Sequence, residues 1–260
     1  MLRTRLLTAA VLLPAVGALV VFAPAWFFTI FIAIAAIWGL YEVAAMTGAL
    51  HMVAIPLFAV VGGVPLFGLL YGGDVVWLPV LVILMMLALV ARVAVAGGAG
   101  SSRGPRLVFI GAAYVGVLFP YFALLRNGPW GIEMLLVVIL LVVVSDSGAY
   151  FVGMYLGRTK LVPNVSPNKT VEGAVGGLIA TMAAGWLLLE IRGGSWDTGP
   201  VLLFSAMISL LAQLGDLAGS ALKRSAGVKD SGWIFPGHGG LLDRTCSLVF
   251  AVVFAYYWFH

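Results

Sequence analysis

Charge is scarce in this chain. Of 260 residues only 9% are Asp, Glu, Lys or Arg, while 63% are hydrophobic. A soluble domain carries about a quarter of its residues as charge, so these residues cannot build a water-facing shell. Cysteine is nearly absent as well. The single Cys246 excludes an internal disulfide and any CxxC metal site. The net charge of +4 comes without a basic tail, an RNA-binding aromatic motif or zinc-finger spacing, which argues against a nucleic-acid partner. There is no GxxxxGK[ST] loop and no GxGxxG before a strand, so a soluble nucleotide-binding fold is not indicated. Barrel-type alternation is missing too, since stretches such as "MLLVVILLVVV" (134–144) are apolar on every face.

Long apolar runs are what the chain does have. A helix needs roughly 20 residues to cross a bilayer, and backbone in hydrocarbon must satisfy its own hydrogen bonds. The expectation is an all-α, polytopic integral membrane protein with about nine transmembrane helices: 6–23, 27–46, 50–70, 76–96, 107–125, 132–153, 172–191, 200–219 and 245–259. Arg3, Arg5 and "APA" at Ala23–Ala25 resemble a secretory signal, but the further runs make a cleavable one unnecessary. With nine spans, all of the 14 Lys and Arg except Arg126 and Arg192 fall on one side. Basic loops mark the cytoplasm, so the N-terminus is expected to be cytoplasmic. The Gly/Ser-rich "AGGAGSSRGPR" separates residues 1–98, with four spans nearly bare of buried polar groups, from residues 99–260, with five. The two groups are read as one membrane domain.

Aspartate inside a span is costly and marks function by default. Asp146 in "VVVSDSGAYFVG" and Asp216 in "LLAQLGDLAGS" both reach the cytoplasmic third of the bilayer, about 20 Å and 24 Å along their helices. Asp243 opens the last span on the same side. Carboxylates brought together need a cation among them, and hard oxygen ligands favour magnesium. Helix–helix hydrogen bonding is the structural alternative. Asp216, Ser220 and Lys223 follow at i, i+4 and i+7 and share a helix face. Arg224, Lys229 and Asp230 come next. Basic groups beside a carboxylate–metal site suit a polyphosphate, although isolated ones also snorkel to the interface. "PGHGG" (236–240) offers backbone N–H groups to phosphate or simply turns the chain, with His238 donating or bracing. The loop "GRTKLVPNVSPNKTVEG" (157–173) clusters Asn164, Ser166, Asn168, Lys169, Thr170 and Glu172, which suits a nucleotide or lipid headgroup, or an ordinary capped loop.

"SALKRSAGVKDSGWIFPGHGGLLDRTCS" (220–247) resembles the signature of the phosphatidate cytidylyltransferases, or CDP-diacylglycerol synthases. "SDSGAYFVG" with "GRTK", "SPNKTVEGAVGG" and "LRTRLLTA" are also similar to that family. The resemblance implies transfer of the cytidylyl group of CTP to phosphatidic acid, with magnesium or manganese as cofactor and a homodimer in the bilayer. It implies a catalytic set of Asp216, Ser220, Lys223, Arg224, Lys229, Asp230, His238 and Asp243. It places Ser166, Lys169, Thr170, Glu172, Gly239, Gly240 and Arg244 in binding and Asp216 and Asp243 on the metal, where the buried Asp146 of the sixth span is expected to complete the cluster. The family usually has aspartate where this chain has Cys246, a soft sulfur and a poor magnesium ligand. A tolerated loss, a weakened or inactive lipid- or nucleotide-binding homologue, and a softer metal are the three accounts of that change. A transporter is the reading from another class.

Overall fold

The computed structural model describes residues 14–48, 77–96, 105–193, 197–234 and 239–259. Residues 14–22 are helical and lead through Pro24 into α1 (Ala25–Thr47), which stops at Gly48 in the left-handed region, φ 71°. Then follow α2 (Trp77–Ala96), α3 (Pro105–Leu118), α4 (Pro120–Asn127) and α5 (Gly131–Leu156). A short hairpin, β1 (Lys160–Val162) and β2 (Ser166–Thr170), precedes α6 (Val171–Ile191), α7 (Thr198–Ser225) and α8 (Leu242–Phe259).

The protein is an all-α, multi-pass membrane protein. Six helical stretches among the described residues are long and apolar enough to cross a membrane: Ala25–Thr47, Leu107–Asn127, Gly131–Leu156, Val171–Ile191, Thr198–Ser225 and Leu242–Phe259. They coincide with six of the nine expected spans. Of the others, 76–96 is the helix α2, whose Val82–Val93 is a shorter apolar stretch. Only 14–22 of the first expected span is described, and 50–70 lies outside the described residues. The span 107–125 is divided at Phe119–Pro120, because proline has no N–H to continue the ladder and readily begins a helix. The eighth span runs on to Ser225 and carries Ser220, Lys223 and Arg224 on continuous helix.

α3 and α4 form the centre of the bundle, with Tyr114, Phe119 and Tyr121 fully buried. The Tyr121 and Tyr257 hydroxyls meet at 2.6 Å and join α4 to α8. Lipid gives apolar helices little reason to associate, so close approach through small residues decides which helices pair. On α6, a Cβ added to Gly177 would sit 2.7 Å from the Ser145 carbonyl of α5. On α7, Gly215 and Gly219 both face Cys246 of α8, where an added Cβ at Gly219 would lie 2.7 Å from that of Cys246.

Arg126, at the end of α4, is drawn into the bundle. It is buried, donates from Nε and Nη2 to Val20 O at 3.2 Å and also to Ala23 O, and lies 5.3 Å from the centroid of the Phe28 ring. A guanidinium there satisfies carbonyls left open at the end of the 14–22 helix. The first helices are not bare of buried polar groups either, because Glu42 of α1 is 2% exposed.

Candidate active site

One cavity of about 510 Å³ opens where α5, β2, α7 and α8 converge, a size suited to a small-molecule ligand. Asp146 lines it from α5, Lys169 and Thr170 from β2, and Gln213 and Asp216 from α7; Asp243, Arg244 and Ser247 line it from α8. Three carboxylates and two cations from four segments thus face one space. The wall is already charge-paired: Lys169 Nζ lies 2.5 Å from Asp216 Oδ2. On the other side, Cys246 Sγ is 3.8 Å from Asp216 Oδ1. The thiol itself is buried between α7 and α8, within the helix contact.

The loop expected at 157–173 is a hairpin. Lys160 pairs with Thr170 and Val162 with Ser166, antiparallel. Thr170 closes the hairpin and caps α6, its hydroxyl accepting from Gly173 N at 3.1 Å. Glu172 accepts from Arg158 N and Thr159 N at 3.1 Å, tying the start of the loop to the first turn of α6. Its carboxylate therefore braces the hairpin that presents Lys169. Replacing Glu172 with alanine is expected to speed amide exchange at Arg158 and Thr159 and to lower turnover about tenfold, less than the ~100-fold that a 1 Å misplacement can cost. Hydrogen exchange and a rate measurement check this together.

The glycine-rich turn is organised around two carboxylates. Asp243 forms an ion pair with Lys223, and its Oδ2 accepts from Ser231 N at 2.8 Å, Ser231 Oγ at 3.0 Å and Gly240 N at 2.9 Å. Gly239 has φ +82°, a backbone state that favours glycine. Of the expected turn 236–240, the Gly240 amide is taken up by Asp243, and just beyond it Leu241 N and Leu242 N donate to Glu42 at 2.7 and 3.0 Å. The reasoning that picked out Asp146 and Asp216, the cost of a carboxylate inside an apolar span, points equally to Glu42, the sole acid in 27–46.

Among the other expected residues, Ser220 is half-buried on α7, and Arg224 Nη1 donates to Val228 O at 3.0 Å just beyond that helix. Lys229 and Asp230 are exposed. Asp230 borders a second cleft of about 210 Å³ with Trp38, Tyr41, Glu42 and Trp233. Ser166 sits in the hairpin, and His238 lies outside the described residues. Among the described residues no three of His, Cys, Asp and Glu gather as a metal-ligand cluster.

Asp146, Lys169, Asp216, Asp243 and Arg244 line one cavity, while Glu42 and Asp230 border the second cleft. A family model described as "Cytidylyltransferase family" matches residues 3–260. The chain belongs to the cytidylyltransferase family. It is 42% identical over 151 residues to the phosphatidate cytidylyltransferase of Bacillus subtilis, covering 58% of this chain and 56% of the relative. It is 44% identical over 140 residues to that of Staphylococcus haemolyticus, covering 54% and 53%. To that of Staphylococcus aureus it is 42% identical over the same length and shares. The chain spans about half the length of these curated relatives. For a cytidylyltransferase, lysines set against carboxylates beside an open cavity are apt chemistry, since phosphoryl transfer rests on positioning and charge neutralisation.

Proposed function

We propose that the protein transfers the cytidylyl group of CTP to phosphatidic acid, forming CDP-diacylglycerol and pyrophosphate at the cytoplasmic face of the inner membrane. The observation that carries this reading is the 510 Å³ cavity lined by Asp146, Asp216, Asp243, Lys169 and Arg244. Family membership and relatives named phosphatidate cytidylyltransferase support it. Excess basic charge on one side supports a cytoplasmic N-terminus and active site. Hydrogen bonds from Leu241 and Leu242 to Glu42 support treating residues 1–98 and 99–260 as one membrane domain. A homodimer belongs to the same proposal.

The phosphate of phosphatidic acid attacks the α-phosphorus of CTP. A new phosphorus–oxygen bond forms, the α–β bridge breaks, and pyrophosphate leaves with the electron pair. The attacking oxygen is ionised near neutral pH, so holding the two anions together matters more than a strong base. Lys169 and Arg244 line the cavity and neutralise phosphate charge, while Lys223 stands behind Asp243. Arg224 and Lys229 extend the basic approach, with Ser220 on the same helix as Asp216. Thr170 and Glu172 hold the hairpin, and Ser166 anchors its far end. Gly239 and Gly240 shape the turn next to His238.

Oxygen donors, the type a hard divalent cation takes, line this wall without forming a compact three-residue cluster among the described residues. Asp146 and Asp216 present carboxylates, with Gln213 and Ser247 oxygens beside them. Asp243 stands at the cavity edge with its oxygens already bonded. Magnesium, or manganese, held there would neutralise triphosphate charge.

Purified protein given labelled CTP, phosphatidic acid and magnesium is expected to yield CDP-lipid and pyrophosphate in equal amounts, and to stop on chelation. Failure to form CDP-lipid, or formation of CDP with a phosphorylated alcohol, overturns the reading. Binding without pyrophosphate release would instead mark the weakened homologue suggested by Cys246, and solute flux across vesicles would mark a transporter.

A further inference from the structure

Glu42 is the most deeply buried acid among the described residues, 2% exposed, and it faces no cation there. A carboxylate withdrawn from solvent is costly unless donors replace the lost water. Four do. Oε1 accepts from Trp38 Nε1 at 3.1 Å and Leu241 N at 2.7 Å; Oε2 accepts from Leu242 N at 3.0 Å and Ser231 Oγ at 2.7 Å. Leu241 and Leu242 stand at the opening of α8, where backbone amides have no intrahelical acceptor and the helix dipole favours an anion. Glu42 is therefore a cap supplied from another helix about 200 residues away in sequence. The loop closes tightly over it: an added Cβ on Gly232 or Gly240 would come 2.8 or 2.5 Å from Glu42 Oε1. Ser231 is shared, its hydroxyl lying 2.7 Å from Glu42 and 3.0 Å from Asp243.

We propose that Glu42 is a positioning residue of the cytidylyl-transfer site: by capping α8 and holding Ser231 it sets where Asp243 and its partner Lys223 stand. This rests on the function proposed above. It makes α1 part of the active-site architecture without touching the cavity that the substrates would fill.

Two variants separate acceptance from packing. Glu42→Gln keeps the volume but turns one acceptor into an NH₂ group facing donors. Glu42→Asp keeps both acceptors and leaves a methylene-sized gap. Full-length protein in micelles is assayed for kcat and for KM of both substrates. The sole cysteine, Cys246, buried one turn beyond Asp243, reports on α8 through its rate of maleimide alkylation. Expected for Glu42→Gln is a fall in kcat of about tenfold or more, with KM for phosphatidic acid held within about twofold, and faster alkylation. Glu42→Asp, whose two acceptors are only drawn back, should retain a higher rate than Glu42→Gln. Parental rate in Glu42→Gln, or a worse result for Glu42→Asp than for Glu42→Gln, overturns the proposal. Should the parent make no CDP-lipid, the proposed function falls, and alkylation alone decides on Glu42. Faster labelling in Glu42→Gln than in Glu42→Asp upholds the cap, and equal labelling in both and in the parent refutes it.

Discussion

Asp216→Ala is expected to lower cytidylyl transfer by on the order of 10²–10³-fold, the loss typical of removing one preorganised electrostatic group, while the chain remains folded. Asp216 stands where the hairpin, α7 and α8 meet. Its described partners are Lys169 and the Cys246 thiol, and its side chain is 34% exposed to the cavity. A half-exposed ion pair of this kind contributes about 1 kcal/mol or less to stability. Lys169, itself 26% exposed, can be solvated when its partner is removed. The residue is therefore expected to carry little of the fold and much of the chemistry. Asp216→Asn, which removes charge at constant shape, should fall in the same direction. Steady-state kinetics across a magnesium series, with size exclusion as the folding check, reads the result. Unchanged magnesium-dependent synthesis would remove Asp216 from the site.

Gly215→Val is expected to disable the protein by another route. A Cβ on Gly215 would run into the Cys246 carbonyl oxygen of α8 and approach the Phe250 ring at 3.6 Å. A carbonyl in a helix cannot rotate aside, so α7 and α8 must separate. Overpacking of this kind costs about 1–3 kcal/mol, occasionally more. Asp216 follows Gly215 directly and Asp243 lies one turn before Cys246, so separation also parts two walls of the cavity. The expected outcome is a lower thermal midpoint in detergent and nearly complete loss of turnover. Gly199→Ala is the matched comparison: nothing lies within 4 Å of an added Cβ there, and alanine favours helix over glycine by up to about 1 kcal/mol. A Gly215→Val protein as stable as the parent would contradict the close contact of α7 and α8.

Much of this arrangement is legible in one dimension. Apolar runs identify the spans because hydrocarbon permits only internally bonded backbone, and six appear in place. Asp146, Asp216 and Asp243 stand out because carboxylates in such runs need compensation, and the structure puts all three on one cavity. Helical spacing linked Asp216 with Lys223, and both do lie on α7. Their ion pairs cross to other segments instead, Lys169 for Asp216 and Asp243 for Lys223. The hairpin escaped notice because β1 and β2 hold only 3 and 5 residues, too few for a periodic signal. The burial of Arg126 leaves no mark in the sequence, since residue type alone does not distinguish a snorkelling side chain from one that caps a helix.

From composition and order of residues alone follow the membrane as solvent, the helical class and the polar residues available for catalysis, because each depends on how a residue type is solvated. Which helices touch, which lysine meets which aspartate, and that Glu42 holds the start of α8 emerged only in three dimensions. Those choices depend on where small residues let backbones approach, and the hydrogen bond from Leu242 to Glu42 joins positions 200 residues apart.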